Sequence, residues 1–203
     1  MSNAKKHRIV FLDRDGVLNA DDGYPFRTEQ AQLLDGVADA LQRLAATHIL
    51  AVITNQSGVA RGKFELADVY AFHRCLQREL WNAARVRIDA FYICPHHPDG
   101  TVPEWRQACG CRKPGTDLVE LALREFAIER DACFFIGDRA LDMDCAGRAG
   151  ISAIQIIKIG ELPQEKHPRA AATVTDLVQA ANFIMNSPGP ASATKTTERR
   201  VPL

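Results

Sequence analysis

The chain has 203 residues, 46% of them apolar, which suits one domain around a single core. Its 25 basic and 25 acidic residues balance, so net charge directs it toward neither nucleic acid nor an anionic membrane. Strictly apolar runs such as Ile49 to Ile53 reach five residues, far short of the roughly 20 that a membrane-spanning helix needs.

Met1 to Arg8 carries Lys5, Lys6 and Arg8 but lacks an apolar stretch and a small-residue cleavage site. A cytoplasmic location is therefore expected, with the six cysteines reduced. Short apolar runs at Arg8–Leu12, Ile49–Ile53, Ile88–Ile93, Cys133–Ile136 and Ser152–Ile156 predict strands. Helices are predicted between them. Val37, Leu41, Leu44 and Ala45 share one face, as do Val69, Phe72, Leu76 and Leu80. Leu118, Leu121, Ala122 and Phe126 mark a third helix, and Leu141 to Ala149 a fourth that stops at Gly150. The last covers Asp176 to Met185. Strands alternating with helices predict an α/β fold, a Rossmann-like parallel sheet with helices on both faces. Residues 1–186 are expected to form the one domain. The Pro-containing, apolar-poor stretch 187–203 is expected to be disordered.

Ligands of such sheets bind beyond the carboxyl ends of the strands, where the chemically suggestive residues cluster. Asp13-Arg14-Asp15-Gly16 follows the first strand. It reads as an ordinary turn until the two carboxylates are considered together. Held 4 Å apart, they repel by about 4 kcal/mol at an effective dielectric near 20. Mg²⁺ relieves that repulsion, since it prefers a few carboxylates together with phosphate oxygens. Thr54, Asn55, Gln56 and Ser57 follow the second strand and offer a hydroxyl and backbone N–H groups to a phosphoryl group. Arg112 and Lys113 supply adjacent cations, and Asp138 ends the fourth strand.

Cys94-Pro95-His96 and Cys109-Gly110-Cys111 lie within 18 residues after the third strand. Three cysteines and one histidine fill a tetrahedral Zn²⁺ site with no open position, which is a structural arrangement. His97 competes with His96 for the fourth place, and spacing does not decide between them. Cys75, Cys133 and Cys145 stand singly and are expected to be small buried hydrophobes. A zinc here would order a loop with little core of its own and place Arg112 and Lys113.

The four stretches around Asp13, Thr54, Lys113 and Asp138 resemble the motifs of the haloacid dehalogenase-like phosphohydrolases, over about Arg8 to Ile156. That resemblance implies Asp13 as nucleophile, Asp15 as general acid and base, and Thr54 with Lys113 as phosphoryl-stabilising groups. It also implies Mg²⁺ bound by Asp13, Asp138 and the backbone carbonyl of Asp15. Asp142 is left open between a supporting partner and a surface acid. Cys-x-His followed by Cys-x-Cys-Arg-Lys-Pro is similar to the branch of heptose-bisphosphate and histidinol-phosphate phosphatases, in which the ligand is the His two residues after the first Cys. That favours His96. The twelve residues between His96 and Cys109 resemble the longer, heptose type.

The resemblance thus implies hydrolysis of D-glycero-D-manno-heptose 1,7-bisphosphate, at the C7 phosphate, in supply of surface or capsular heptose. The alternatives are histidinol phosphate as substrate, or a zinc-bearing interaction module without chemistry. Arg112 is the first candidate for recognition beyond the reacting phosphoryl group, and Arg61 is a weaker one. Asp21, Asp22, Gly23 and Tyr24 follow the nucleophile loop and could contact sugar hydroxyls. Arg139 stands where the branch usually has Lys, and its wider fork could alter substrate contacts. With only 38 residues between Asp15 and Thr54, no large cap domain fits. A monomer acting on a small phosphorylated sugar is expected, with neither nucleic acid nor membrane as partner.

Overall fold

A computed structural model describes residues 8–157 and 166–187. Six strands form one sheet: Ile9–Leu12 (β1), Ile49–Asn55 (β2), Ala90–Cys94 (β3), Phe134–Gly137 (β4), Ser152–Ile156 (β5) and Ala170–Val174 (β6). All neighbours pair in parallel, in the order β3-β2-β1-β4-β5-β6. The five helices are Val37–Ala45 (α1), Leu66–Ala84 (α2), Asp117–Phe126 (α3), Ala140–Arg148 (α4) and Leu177–Asn186 (α5).

A parallel sheet must be covered on both faces, and successive side chains of a strand point to opposite faces. In β1, Val10 and Leu12 pack in a cluster with Leu41 and Leu44 of α1 and Ile184 of α5. Ile9 and Phe11 pack instead with Val119 and Ala122 of α3 and Met143 and Ala146 of α4. All four β1 residues are fully buried, which is why that strand reads as a continuous apolar run rather than an alternation.

The five predicted strands and five predicted helices are all present, and where ends were predicted they move by no more than two residues. β6 was not foreseen. Its Ala-Ala-Ala-Thr-Val carries little bulk, and as an edge strand it alternates between buried or partly buried and exposed positions. Such a stretch lacks the apolar signature of its buried neighbours. Gly150 ends α4 with φ of +68°, the left-handed conformation expected of a C-terminal glycine. Among the isolated cysteines, Cys133 and Cys145 are buried as expected, whereas Cys75 is only partly covered. The stretch 187–203 lies, beyond Ser187, outside the described residues. Among the described residues no helix is long and apolar enough to cross a membrane.

The strand order reverses between β1 and β4. From β1 the chain builds outward through β2 and β3, then returns to start the other half at β4. A crevice opens at such a switch point beyond the carboxyl ends of the strands. Leu44, fully buried beneath β1 and β2, tests the layer that supports this end of the sheet. Leu44→Ala should lower unfolding free energy by about 2–5 kcal/mol in urea titrations.

Candidate active site

Asp13 is the first residue beyond β1. Its backbone N–H donates to Ile136 O of β4 at 2.9 Å, so the ladder holds it at the switch point. One carboxylate oxygen, Oδ1, accepts from the Arg14 backbone N–H at 2.7 Å and faces Lys113 Nζ at 2.8 Å. Gly16 turns the loop at φ +83°. A Cβ there would come within 1.9 Å of Asp138 Oδ2, so glycine is required both for the turn and for the approach of Asp138.

Lys113 is 2% exposed, and its ammonium lies between Asp13 Oδ1 and Asp142 Oδ1, the latter at 2.7 Å. Burial alone would lower its pKa. The two carboxylates outweigh burial and hold it above the usual lysine value. Asn55 sets the height of the Lys113 loop through two bonds. Its Oδ1 accepts from Lys113 N at 3.0 Å and its Nδ2 donates to Lys113 O at 3.2 Å. Asp142 is fully buried, so it is a supporting partner of the site and not a surface acid. Its Oδ2 also accepts the Arg139 backbone N–H at 3.1 Å, at the start of α4.

Burial raises the Asp13 carboxyl to about 7. Asp142 and Asp15 add to that rise, and Lys113 opposes it. Oxygens of Asp13, Asp138 and Asp142 lie within 4.8 Å of one another. Three carboxylates held so close, with one lysine among them, leave negative charge that a divalent cation would balance. The donor set, all hard oxygens, fits Mg²⁺. The resemblance implied Asp13 and Asp138 together with the backbone carbonyl of Asp15, not its side chain. By side chain the third member of this cluster is Asp142, while the Asp15 carboxylate is turned to other partners.

Those partners explain Arg14, which carried no expectation. Arg14 is fully buried and grips Asp15 with two bonds, Nε to Oδ1 and Nη2 to Oδ2, each 2.8 Å. Asn19 Nδ2 donates to Asp15 Oδ1 at 2.9 Å, and Gln56 Nε2 donates to Asp15 Oδ2 at 3.0 Å and to Thr54 Oγ1 at 2.8 Å. Behind Arg14, Phe72 stacks on the guanidinium at 4.3 Å and His73 Nε2 lies 3.4 Å from Nη1. Burial and the neighbouring Arg14 push the His73 pKa down to about 3, so its ring is neutral. No motif signals this scaffold.

The cavity over these groups has a volume of about 230 Å³. Asp21, Gly23 and Tyr24 line it, with Ser57 and Arg112, as the sequence suggested. Asp22 is not among the lining residues. Arg139 also lines the cavity and pairs with Asp21, which joins α4 to the loop after β1. Two groups not proposed as site residues contribute: Leu141, and His97, which meets Arg61 Nη2 through Nε2 at 3.0 Å. His97 therefore faces the cavity rather than the cysteines.

The cysteine cluster forms beside it. Cys94 ends β3, and its Sγ lies 3.6 Å from Cys109 Sγ and 3.2 Å from Cys111 Sγ. Cys109 and Cys111 are 3.2 Å apart, and His96 Nδ1 is 3.3 Å from Cys111 Sγ. Disulfide sulfurs sit at about 2.05 Å, so these thiols are not bonded. A tetrahedral zinc with Zn–S of about 2.3 Å holds its sulfurs about 3.8 Å apart, close to what is seen. Burial lifts the Cys94 thiol to about 11 and raises Cys111 further. Thiols packed this tightly cannot ionise together without a cation, and the Cys₃His donor set suits zinc.

Comparison with known proteins agrees with this geometry. A family model described as "HAD-hyrolase-like" matches residues 110–180. The chain is 38% identical over 181 residues to the D-glycero-beta-D-manno-heptose-1,7-bisphosphate 7-phosphatase of Photorhabdus laumondii, covering 88% of this chain and 89% of that protein. It is 38% identical over 187 residues to the protein of that name from Escherichia coli K12, covering 91% of each. Among solved structures it is similar to the D,D-heptose 1,7-bisphosphate phosphatase of B. bronchiseptica complexed with magnesium and phosphate. That match has a TM-score of 0.74 at 29% identity and covers 88% of this chain and 98% of the other.

The contact between Gly16 and Asp138 offers a test of the site's geometry. Gly16→Ala must shift Asp138 and strain a left-handed turn. It should lower stability by about 1–3 kcal/mol in urea unfolding and weaken Mg²⁺ binding measured by calorimetry.

Proposed function

The chain belongs to the D-glycero-β-D-manno-heptose-1,7-bisphosphate 7-phosphatase family of haloacid dehalogenase-like hydrolases, and we propose that it removes the C7 phosphate of that bisphosphate through an aspartyl-phosphate. The observation that carries this reading is the convergence of Asp13, Asp15, Thr54, Lys113 and Asp138 at the β1/β4 switch point. In support, relatives bearing that name are 38% identical over about nine-tenths of their length.

In this reading an Asp13 oxygen attacks phosphorus and the bond to the sugar oxygen breaks. Asp15 gives that oxygen its proton, so the sugar leaves as an alcohol. Asp15 then takes a proton from water, whose oxygen attacks the same phosphorus and releases inorganic phosphate, restoring both aspartates. Splitting one displacement into two lowers each barrier. Lys113 and the Thr54 hydroxyl face the phosphoryl oxygens, where charge must be balanced in the loose transition state. Arg14, Asn19 and Gln56 orient Asp15, and Asp142 with Asn55 orients Lys113. Asp13 and Asp138, with the Asp15 backbone carbonyl, would hold Mg²⁺, and its charge would neutralise the phosphoryl oxygens.

Cys94, His96, Cys109 and Cys111 would hold a structural zinc that places Arg112 and Lys113. Arg112 and Arg139, on opposite sequence segments, are proposed to receive the remaining phosphate, while Asp21 and Tyr24 meet the sugar. Ser57 contributes backbone or hydroxyl contacts to the phosphoryl group.

Turnover with Mg²⁺ should favour the heptose bisphosphate over histidinol phosphate by at least about a hundredfold in kcat/KM, or about 2.7 kcal/mol; a preference for histidinol phosphate would reverse the assignment. Asp13→Asn should lower kcat by more than about a thousandfold with substrate binding retained. Metal analysis of protein purified without chelator should find one zinc per chain. Cys109→Ala should lose that zinc and unfold at a lower temperature.

A further inference from the structure

The outer side of α2 carries a second concavity, of about 710 Å³. Tyr70, Arg74, Arg78 and Trp81 fall at i, i+4, i+8 and i+11, so they form one stripe along that helix. The opposite stripe, Val69, Phe72, Leu76 and Leu80, is buried. Tyr70 is 50% exposed and Trp81 40%, two large aromatic rings left open to solvent. Arg87 also lines the concavity, and its guanidinium lies over the Trp81 ring at 4.7 Å. None of the described lining residues is acidic. Arg78 has Glu79 beside it at 3.7 Å, whereas Arg74 makes no ion pair among the described residues. In a chain of zero net charge, this concentration of arginine on one helix face is a local feature.

The most buried lining residue ties the concavity to the interior. His73 is 5% exposed and stacks on Phe91 at 4.4 Å. Its Nε2 meets Arg14, and a guanidinium can only donate. Nε2 of the neutral ring therefore accepts, and the proton sits on Nδ1. That Nδ1–H is buried and has no hydrogen-bond partner, which a native interior rarely tolerates.

We infer that this groove binds a small ligand that combines a planar aromatic ring with a phosphate group, the class to which a nucleoside diphosphate belongs. The volume lies within the roughly 300–1,000 Å³ of small-molecule sites. Tyr70 or Trp81, about 16 Å apart along the helix, supplies a face for the ring. The arginine forks match phosphate oxygens in pairs. A bare phosphate would leave the aromatic faces uncovered, and an uncharged ring would leave the arginines unmatched.

The test is calorimetric titration of ADP into the full chain with Mg²⁺ and saturating inorganic phosphate, which keeps the phosphoryl site filled. The expected Kd is below about 1 mM, with quenching of Trp81 emission in a Trp105→Phe background. Adenosine and ribose 5-phosphate should each bind at least about tenfold more weakly than ADP. The pair Arg74→Glu and Arg87→Glu, both on exposed side chains, should weaken ADP by at least about tenfold while circular dichroism shows an unchanged fold. Should that double variant fail to fold, Trp81→Ala read by the same titration replaces it. Absence of ADP binding under saturating phosphate would overturn the inference, as would unchanged affinity in the folded variant or ribose 5-phosphate binding as tightly as ADP.

Discussion

A carboxylate that is to attack phosphorus must shed its water, yet shedding water favours its protonated, unreactive form. At Asp13 burial drives that tendency, and the Lys113 ammonium opposes it from 2.8 Å. The lysine is itself buried and would lose its proton if left alone. It keeps its charge because Asp142 contacts it from the other side at 2.7 Å. The pair is thus a triad in which each charge is tolerable only with the others present. Negative charge remains in excess once Asp138 is included, which is where a divalent cation enters the reading.

Much of the remaining architecture serves to keep that triad in place. Asp142 sits in the first turn of α4 and is tied to the backbone of Arg139. Lys113 lies two residues after the cysteine cluster, whose first thiol ends β3 and whose other members close a loop of 18 residues. That loop is also docked on the one after β2, where Ala60 O accepts from Thr101 N at 2.7 Å and from Val102 N at 2.9 Å. A metal among the thiols would therefore act on the lysine through a short, braced segment. Its effect on activity would be one of position, not of chemistry.

Arg14 links this centre to the outer face of α2. It holds Asp15 on one side and meets Phe72 and His73 on the other. The Asp15 carboxylate therefore depends on a helix that contributes no residue to the cavity lining. The groove along the exposed side of that helix is reached through the same histidine. The Asp15 carboxylate and the outer helix thus share one buried guanidinium.

The parallel sheet was legible because its buried strands are continuous apolar runs, and Asp13, Thr54 and Asp138 could be placed because each stands just past such a run, whereas Lys113 follows the cysteine loop. The roles expected of Asp13, Thr54, Lys113 and Asp138 come from the resemblance of their motifs to a known family, as does the choice of His96 over His97. β6 escaped because three alanines and an edge position leave almost no apolar signal. Tertiary structure alone decided what surrounds each charge. It buried Asp142 against a lysine 29 positions earlier and Arg14 behind Asp15, turned His97 toward Arg61, and left Asp22 outside the cavity. The physical reason is that a carboxylate's type is written in the chain, whereas its solvation and partners depend on contacts between segments far apart in sequence. At Asp13 the residue type was local information; the burial and the lysine that act on its charge were not.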